Sequence, residues 1–192
     1  MKVGLYFGSF NPVHIGHMII ANHMVNNTEL DMLWMVVSPH NPHKQKKTLA
    51  KDYDRLHLLN LAIDDHLKIK ASDVEFKLAK PSYTIDTMAH LEEKYPQHEF
   101  SLIMGGDNLA SFHRWKNFEL LLKKYSIYVY KRPSYDLPVY ADHQNIHIEE
   151  APSLDISASF IRQQIKQKKS IKYLVPDKVY DYLQANPIYD RL

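Results

Sequence analysis

The sequence predicts a doubly wound α/β fold, a parallel sheet with helices on both faces. Three observations predict it. Short, almost continuously apolar runs recur, which is how strands buried on both faces read. Segments with helical spacing of apolar residues separate them. Strand-to-helix turns carry Gly, Asn and Pro, the residues that stop regular structure. Strands and helices that trade places in this way are joined by right-handed crossovers, and their ligands sit beyond the C-terminal ends of the strands.

Val3 to Phe7 is the first apolar run, ended by Gly8. After a turn at Gly8 to Pro12, residues His14 to Val25 place Ile15, Met18, Ile19 and Ala21 to Met24 at helix-compatible spacing. Met32 to Val37 reads as the second strand, followed by a loop with Pro39, Asn41 and Pro42 and a helix through Leu56, Leu59 and Ile63. Thr84 to Tyr95 reads as a helix, Glu99 to Met104 as a strand closed by Gly105-Gly106, Phe118 to Lys124 as a short helix and Ile127 to Tyr130 as a strand. Ile146 to Glu149 suits one more strand. Ser157 to Lys168 suits a helix with Phe160, Ile161 and Ile165 on its apolar face, and Asp177 to Leu183 a last helix. No repeat or linker divides the chain, so residues 1–192 are expected to form one domain with a helical C-terminal portion from about 153.

Composition narrows the function classes. Hydrophobic residues make up 45% and charged residues 24% of 192, ordinary globular usage. The net charge of +2 is small and its basic residues are dispersed, so no nucleic-acid footprint is expected. There is no cysteine, which excludes thiolate catalysis and cysteine-ligated zinc and suits a cytoplasmic location. The apolar start at Val3 to Phe7 is too brief for a secretion signal, and no stretch is long enough to span a bilayer.

Two segments carry chemistry. Gly8-Ser9-Phe10-Asn11-Pro12-Val13-His14-Ile15-Gly16-His17 is a strand end, a tight turn and a helix N-terminus, which offers free N–H groups and a positive dipole end to phosphate. His14 and His17 are three apart, so both rings are expected on one face of the first turn, with Gly16 allowing close approach. Paired imidazoles can stabilise charge on transferred and leaving phosphate oxygens. As zinc ligands they lack a third partner in a recognisable spacing, so no protein metal site is expected. Further on, Ile156-Ser157-Ala158-Ser159-Phe160-Ile161-Arg162 gathers hydroxyls and N–H groups at a second helix start, with a guanidinium about one turn inside. Each segment alone is more often a plain helix cap; their joint occurrence is what points to a polyphosphate.

The two strings together resemble the phosphate-binding signatures of the nucleotidylyltransferase superfamily, His-x-Gly-His and Ile-Ser-Ser-Thr-x-Ile-Arg on a Rossmann-like sheet. Three further strings, Asn41-Pro42-His43-Lys44, Pro81-Ser82-Tyr83-Thr84-Ile85-Asp86-Thr87 and Gly105-Gly106-Asp107-Asn108-Leu109 with Phe112 and Trp115 after it, resemble the bacterial nicotinate-nucleotide adenylyltransferases, from Lys2 to Arg162. The resemblance implies transfer of AMP from ATP to nicotinic acid mononucleotide. It implies His14, His17 and Arg162 as catalytic residues, and Gly8, Ser9, Phe10, Gly105, Asp107 and Ser159 beside them at ATP, with Asp107 holding a ribose. For the acceptor it implies Asn41, Lys44, Tyr83, Thr84, Ile85, Trp115 and Lys116, with Trp115 against the pyridine ring and main-chain N–H groups near Thr84, Ile85 and Lys116 at its carboxylate. Mg²⁺ is implied on the substrate phosphates. The expected partners are these small molecules, with no nucleic acid or membrane and with homo-oligomerisation open. Two departures stand out: Phe7 where many members have Gly, and Ala158 where the pattern has a hydroxyl. Pantetheine-phosphate and nicotinamide-nucleotide enzymes share both phosphate signatures, and a non-catalytic nucleotide-binding module is the alternative from another class.

Overall fold

The structure is a computed structural model that describes residues 1–39, 49–131, 138–152 and 154–190, without the Val139 side chain. Among these, β1 (Lys2–Gly8), β2 (Met32–Val37), β3 (Ile69–Ser72), β4 (Glu99–Gly105), β5 (Ile127–Tyr130) and β6 (Ile146–Glu149) form one sheet. Its order is β3-β2-β1-β4-β5-β6 and every pairing is parallel. The helices are α1 (Ile15–Asn27), α2 (Asp52–Ile63), α3 (Thr84–Lys94), α4 (Gly106–Ala110), α5 (Phe118–Lys124), α6 (Ala158–Lys166) and α7 (Asp177–Ala185). The chain reverses direction across the sheet between β1 and β4, so a crevice opens beyond the C-terminal ends of those two strands.

Burial on both faces explains the apolar runs. Val3 and Leu5 of β1 pack with Met88 and Leu91 of α3, Leu109 of α4 and Leu121 of α5. Tyr6 turns the other way, into a core with Ala21 and Met24 of α1, Leu58 and Leu59 of α2, Ile161 of α6 and Val179 of α7. β3 is absent from the sequence reading because Ile-Lys-Ala-Ser is short and only Ile69 is fully buried at that sheet edge. Helix ends also move. His14 is extended and precedes α1, which runs to Asn27; α3 stops at Lys94; Ser157 caps α6, which stops at Lys166. Gly105 still belongs to β4, and Gly106 opens α4.

The C-terminal portion closes over the same core. Ile171, Val175, Leu183 and Tyr189 are buried there, and the Leu174 carbonyl accepts from Ile15 N–H at 3.0 Å, at the start of α1. Burial pushes the Tyr189 phenol above its usual range, an effect that the nearby Arg55 and Arg162 guanidiniums oppose. No helix of the described residues is long and apolar enough to cross a membrane.

Candidate active site

The crevice is walled on one side by the turn that leaves β1. Phe10 sits there in the left-handed region, φ 42°, which costs a bulky residue free energy that its packing must offset. Its ring is 1% exposed and lies edge-on to Tyr6 and His17, with centroids at 5.8 and 5.1 Å. The Phe10 ring therefore belongs to the core. Asn11 follows in a cis peptide bond to Pro12, and its Oδ1 accepts from Ala50 N–H at 3.1 Å.

The two histidines form a fixed unit. Their rings stack with centroids 3.7 Å apart and planes 30° from parallel. His14 N–H donates to His17 Nδ1 at 3.2 Å, so in the neutral ring the proton sits on Nε2, leaving that nitrogen as the donor. A Cβ on Gly16 would stand 3.1 Å from His14 Nδ1. The missing side chain of Gly16 thus makes room for the His14 ring.

The second segment meets the first. Ser157 Oγ accepts from Phe160 N–H at 3.2 Å and caps α6. Ile161, fully buried, pins the helix to the core beside Arg162. Arg162 Nη1 then donates to the Asn11 carbonyl at 2.7 Å across 151 positions of chain, and Nη2 donates to Ser159 Oγ at 3.2 Å. Burial lowers the Arg162 pKa from its ordinary value. Imidazoles, a hydroxyl, a guanidinium and two helix starts therefore converge on one crevice, the donor set that a polyphosphate requires.

The other wall is built around α3. Asp86 and Thr87 N–H both return to the Tyr83 carbonyl, at 3.0 and 3.1 Å, so the amides of Thr84 and Ile85 precede the first intrahelical bonds. Lys116 Nζ reaches Asp86 Oδ2 at 2.9 Å and stands 4.7 Å over the Tyr83 ring, which brings the Trp115-Lys116 loop to this helix start. Phe112 is fully buried, whereas Trp115, edge-on to it at 5.4 Å, is half-buried. Tyr83, Thr84, Ile85, Trp115 and Lys116 thus share one neighbourhood. At the end of β4, a Cβ on Gly105 would lie 2.4 Å from Asp107 Oδ1 and 3.0 Å from the Tyr130 ring, so only glycine lets that carboxylate fold back over the strand. Asn41 and Lys44 lie outside the described residues.

Residues 5–164 match the cytidylyltransferase-like family. A protein of Flavobacterium psychrophilum named probable nicotinate-nucleotide adenylyltransferase is 56% identical over 193 residues, covering 100% of both chains. One of the same name from Cytophaga hutchinsonii is 49% identical over 98% of both. The chain belongs to the nicotinate-nucleotide adenylyltransferase family. The fold agrees with a solved structure of Plasmodium falciparum nicotinic acid mononucleotide adenylyltransferase complexed with NaAD, at TM-score 0.83, 19% identity and coverage of 100% of this chain and 98% of that one.

Three residues in or behind the site escaped the sequence reading. Asn11 was visible only as part of a turn, yet its carbonyl is where Arg162 docks. Arg55 is fully buried and donates to the Ser9 carbonyl at the phosphate turn. Its signal was present: in α2 the buried positions are 55, 58, 59 and 63, so an arginine occupies the apolar stripe. Glu75 is 2% exposed behind α3 and had no periodic context to mark it.

Proposed function

We propose that the ATP triphosphate lies between the turn at Gly8 to Asn11 and the start of α6, with the acceptor nucleotide against Trp115 and the start of α3. The reaction is transfer of AMP from ATP to nicotinic acid mononucleotide, giving nicotinic acid adenine dinucleotide and pyrophosphate in NAD biosynthesis. One observation carries the placement, the Arg162 to Asn11 hydrogen bond that joins the two phosphate segments.

A phosphate oxygen of the mononucleotide attacks the α-phosphorus in line, the new P–O bond forms, and the bond to pyrophosphate breaks. No protein nucleophile is needed. His17 through Nε2–H, Arg162 through its remaining N–H groups and the turn amides neutralise charge on the transferred and departing oxygens. Asp107 is assigned to a ribose, and the free amides of Thr84 and Ile85 to the pyridine carboxylate. Mg²⁺ would arrive on the phosphates and supply further charge neutralisation. Mg²⁺ takes oxygen ligands, and in this reading it draws most of them from phosphate and water. We place the reaction in the cytoplasm.

Pyrophosphate release measured with ATP and each candidate acceptor tests the reading. Nicotinic acid mononucleotide is expected to be the preferred acceptor, over nicotinamide mononucleotide and phosphopantetheine; preference for the nicotinamide form overturns the acceptor assignment. Trp115→Ala is expected to raise the acceptor KM roughly tenfold or more through lost stacking, with kcat within about threefold. A variant that loses turnover while its acceptor KM stays unchanged contradicts that role.

A further inference from the structure

Two charged side chains lie in the interior where no substrate can touch them, Arg55 with no exposure and Glu75 with 2%. Burying either ion is costly unless its hydrogen-bonding capacity is met, and fixed bonds of this kind also fix the segments that supply them. Arg55 spreads its fork over three segments. Nε donates to the Ala50 carbonyl at 3.1 Å, Nη1 to the carbonyls of Ser9 at 2.5 Å and Ser38 at 2.9 Å, and Nη2 to Asp52 Oδ1 at 2.8 Å. The Ser9 carbonyl is thereby held on the far side of the phosphate turn.

Glu75 continues the line. Its Oε1 accepts from the Thr87 hydroxyl at 2.9 Å, and its segment packs on the start of α2, where Phe76 lies edge-on to Tyr53 with centroids 5.3 Å apart. Burial raises the Glu75 pKa, and the hydroxyls of Ser38, Thr87 and Ser82 oppose that rise. Thr87 lies in the first turn of α3, and its hydroxyl also reaches the Tyr83 carbonyl at 3.3 Å. Ser38 lies between them: its carbonyl accepts from Arg55, its N–H donates to the Gly8 carbonyl at 2.9 Å, and its hydroxyl favours the charged form of Glu75.

We propose that Arg55 and Glu75 are positioning residues which, through Ser38 and Thr87, set the separation between the triphosphate turn and the helix start that receives the acceptor carboxylate. This rests on the substrate placement given under Proposed function. An in-line transfer needs its reacting atoms about 3–3.5 Å apart, and a misplacement of about 1 Å costs on the order of 100-fold. Buried polar contacts at both subsites have the reach to control that distance, because the Tyr53–Phe76 packing ties the helix of Arg55 to the turn of Glu75.

The test uses the full chain with Arg55→Lys, Glu75→Gln and the double variant, measured for thermal midpoint, ATP affinity without acceptor, and kcat and KM for the mononucleotide. Each folded single variant is expected to lose about 10- to 100-fold in kcat. ATP affinity is expected to stay within about threefold, and the double variant to be little worse than the poorer single one. Wild-type kcat in folded variants, a loss confined to thermal stability, or fully additive losses in the double variant each overturn the proposal. If Arg55→Lys or Glu75→Gln does not fold, Thr87→Val and Ser38→Ala, which remove only hydroxyls from the chain, decide it by the same kcat criterion. Wild-type protein that makes no dinucleotide from nicotinic acid mononucleotide refutes the substrate placement instead, so the two failures are distinguishable.

Discussion

Replacing His17 with alanine is expected to lower kcat by about 10²–10³, the usual loss when one preorganised donor to a transition-state oxygen is removed. The expectation follows from how tightly the ring is set. Its Nδ1 is occupied by His14 N–H, its face is covered by the His14 ring at 3.7 Å, and its edge meets Phe10 at 5.1 Å. Such a ring has little freedom to turn. Its interaction is strongest where charge accumulates on the transferred group, so the KM for ATP is expected to stay within a few-fold. Steady-state kinetics, with circular dichroism to verify that α1 persists, measures both parameters. A raised KM at unchanged kcat would mean that His17 only binds ATP, and a change below threefold in both would remove it from the site.

The legible parts of the fold and site were those set by local rules. β1, β2, β4 and β5 announced themselves because strands covered on both faces must be apolar throughout, and the phosphate turn and the α6 start because caps and tight turns demand particular residues at fixed offsets. β3 has one fully buried residue in four and so left almost no pattern. The inward course of the Phe10 ring was not legible, because a left-handed main chain sets it. Glu75 was hidden for a different reason, and the place of Arg55 on the apolar stripe of α2 told of its burial but not of its partners. Their partners are main-chain carbonyls and hydroxyls from distant segments, and only the folded chain brings Ser9, Ser38 and Thr87 around them. Residues whose role is defined by sequence neighbours were visible, and residues defined by tertiary neighbours were not.

Arg162→Ala is expected to lower kcat/KM for ATP by roughly 10³-fold, the lower end of what a phosphate-bound arginine contributes in phosphoryl transfer. Two losses combine. The side chain supplies charge to the triphosphate, and through Nη1 it also holds the Asn11 carbonyl at 2.7 Å, so the turn loses its tie to α6 when the guanidinium goes. Lysine restores only the charge. A single ammonium cannot reach the Asn11 carbonyl and the Ser159 hydroxyl while also meeting phosphate oxygens, because its three donors radiate from one point rather than from a planar fork. Arg162→Lys is therefore expected to recover no more than about tenfold of the loss. The folded state should tolerate both changes, since burial already disfavours the cation at this position; the thermal midpoint is expected to move by less than about 5 °C. Full rescue by lysine would reduce Arg162 to a point charge and sever the argument that α6 and the phosphate turn act as one binding surface.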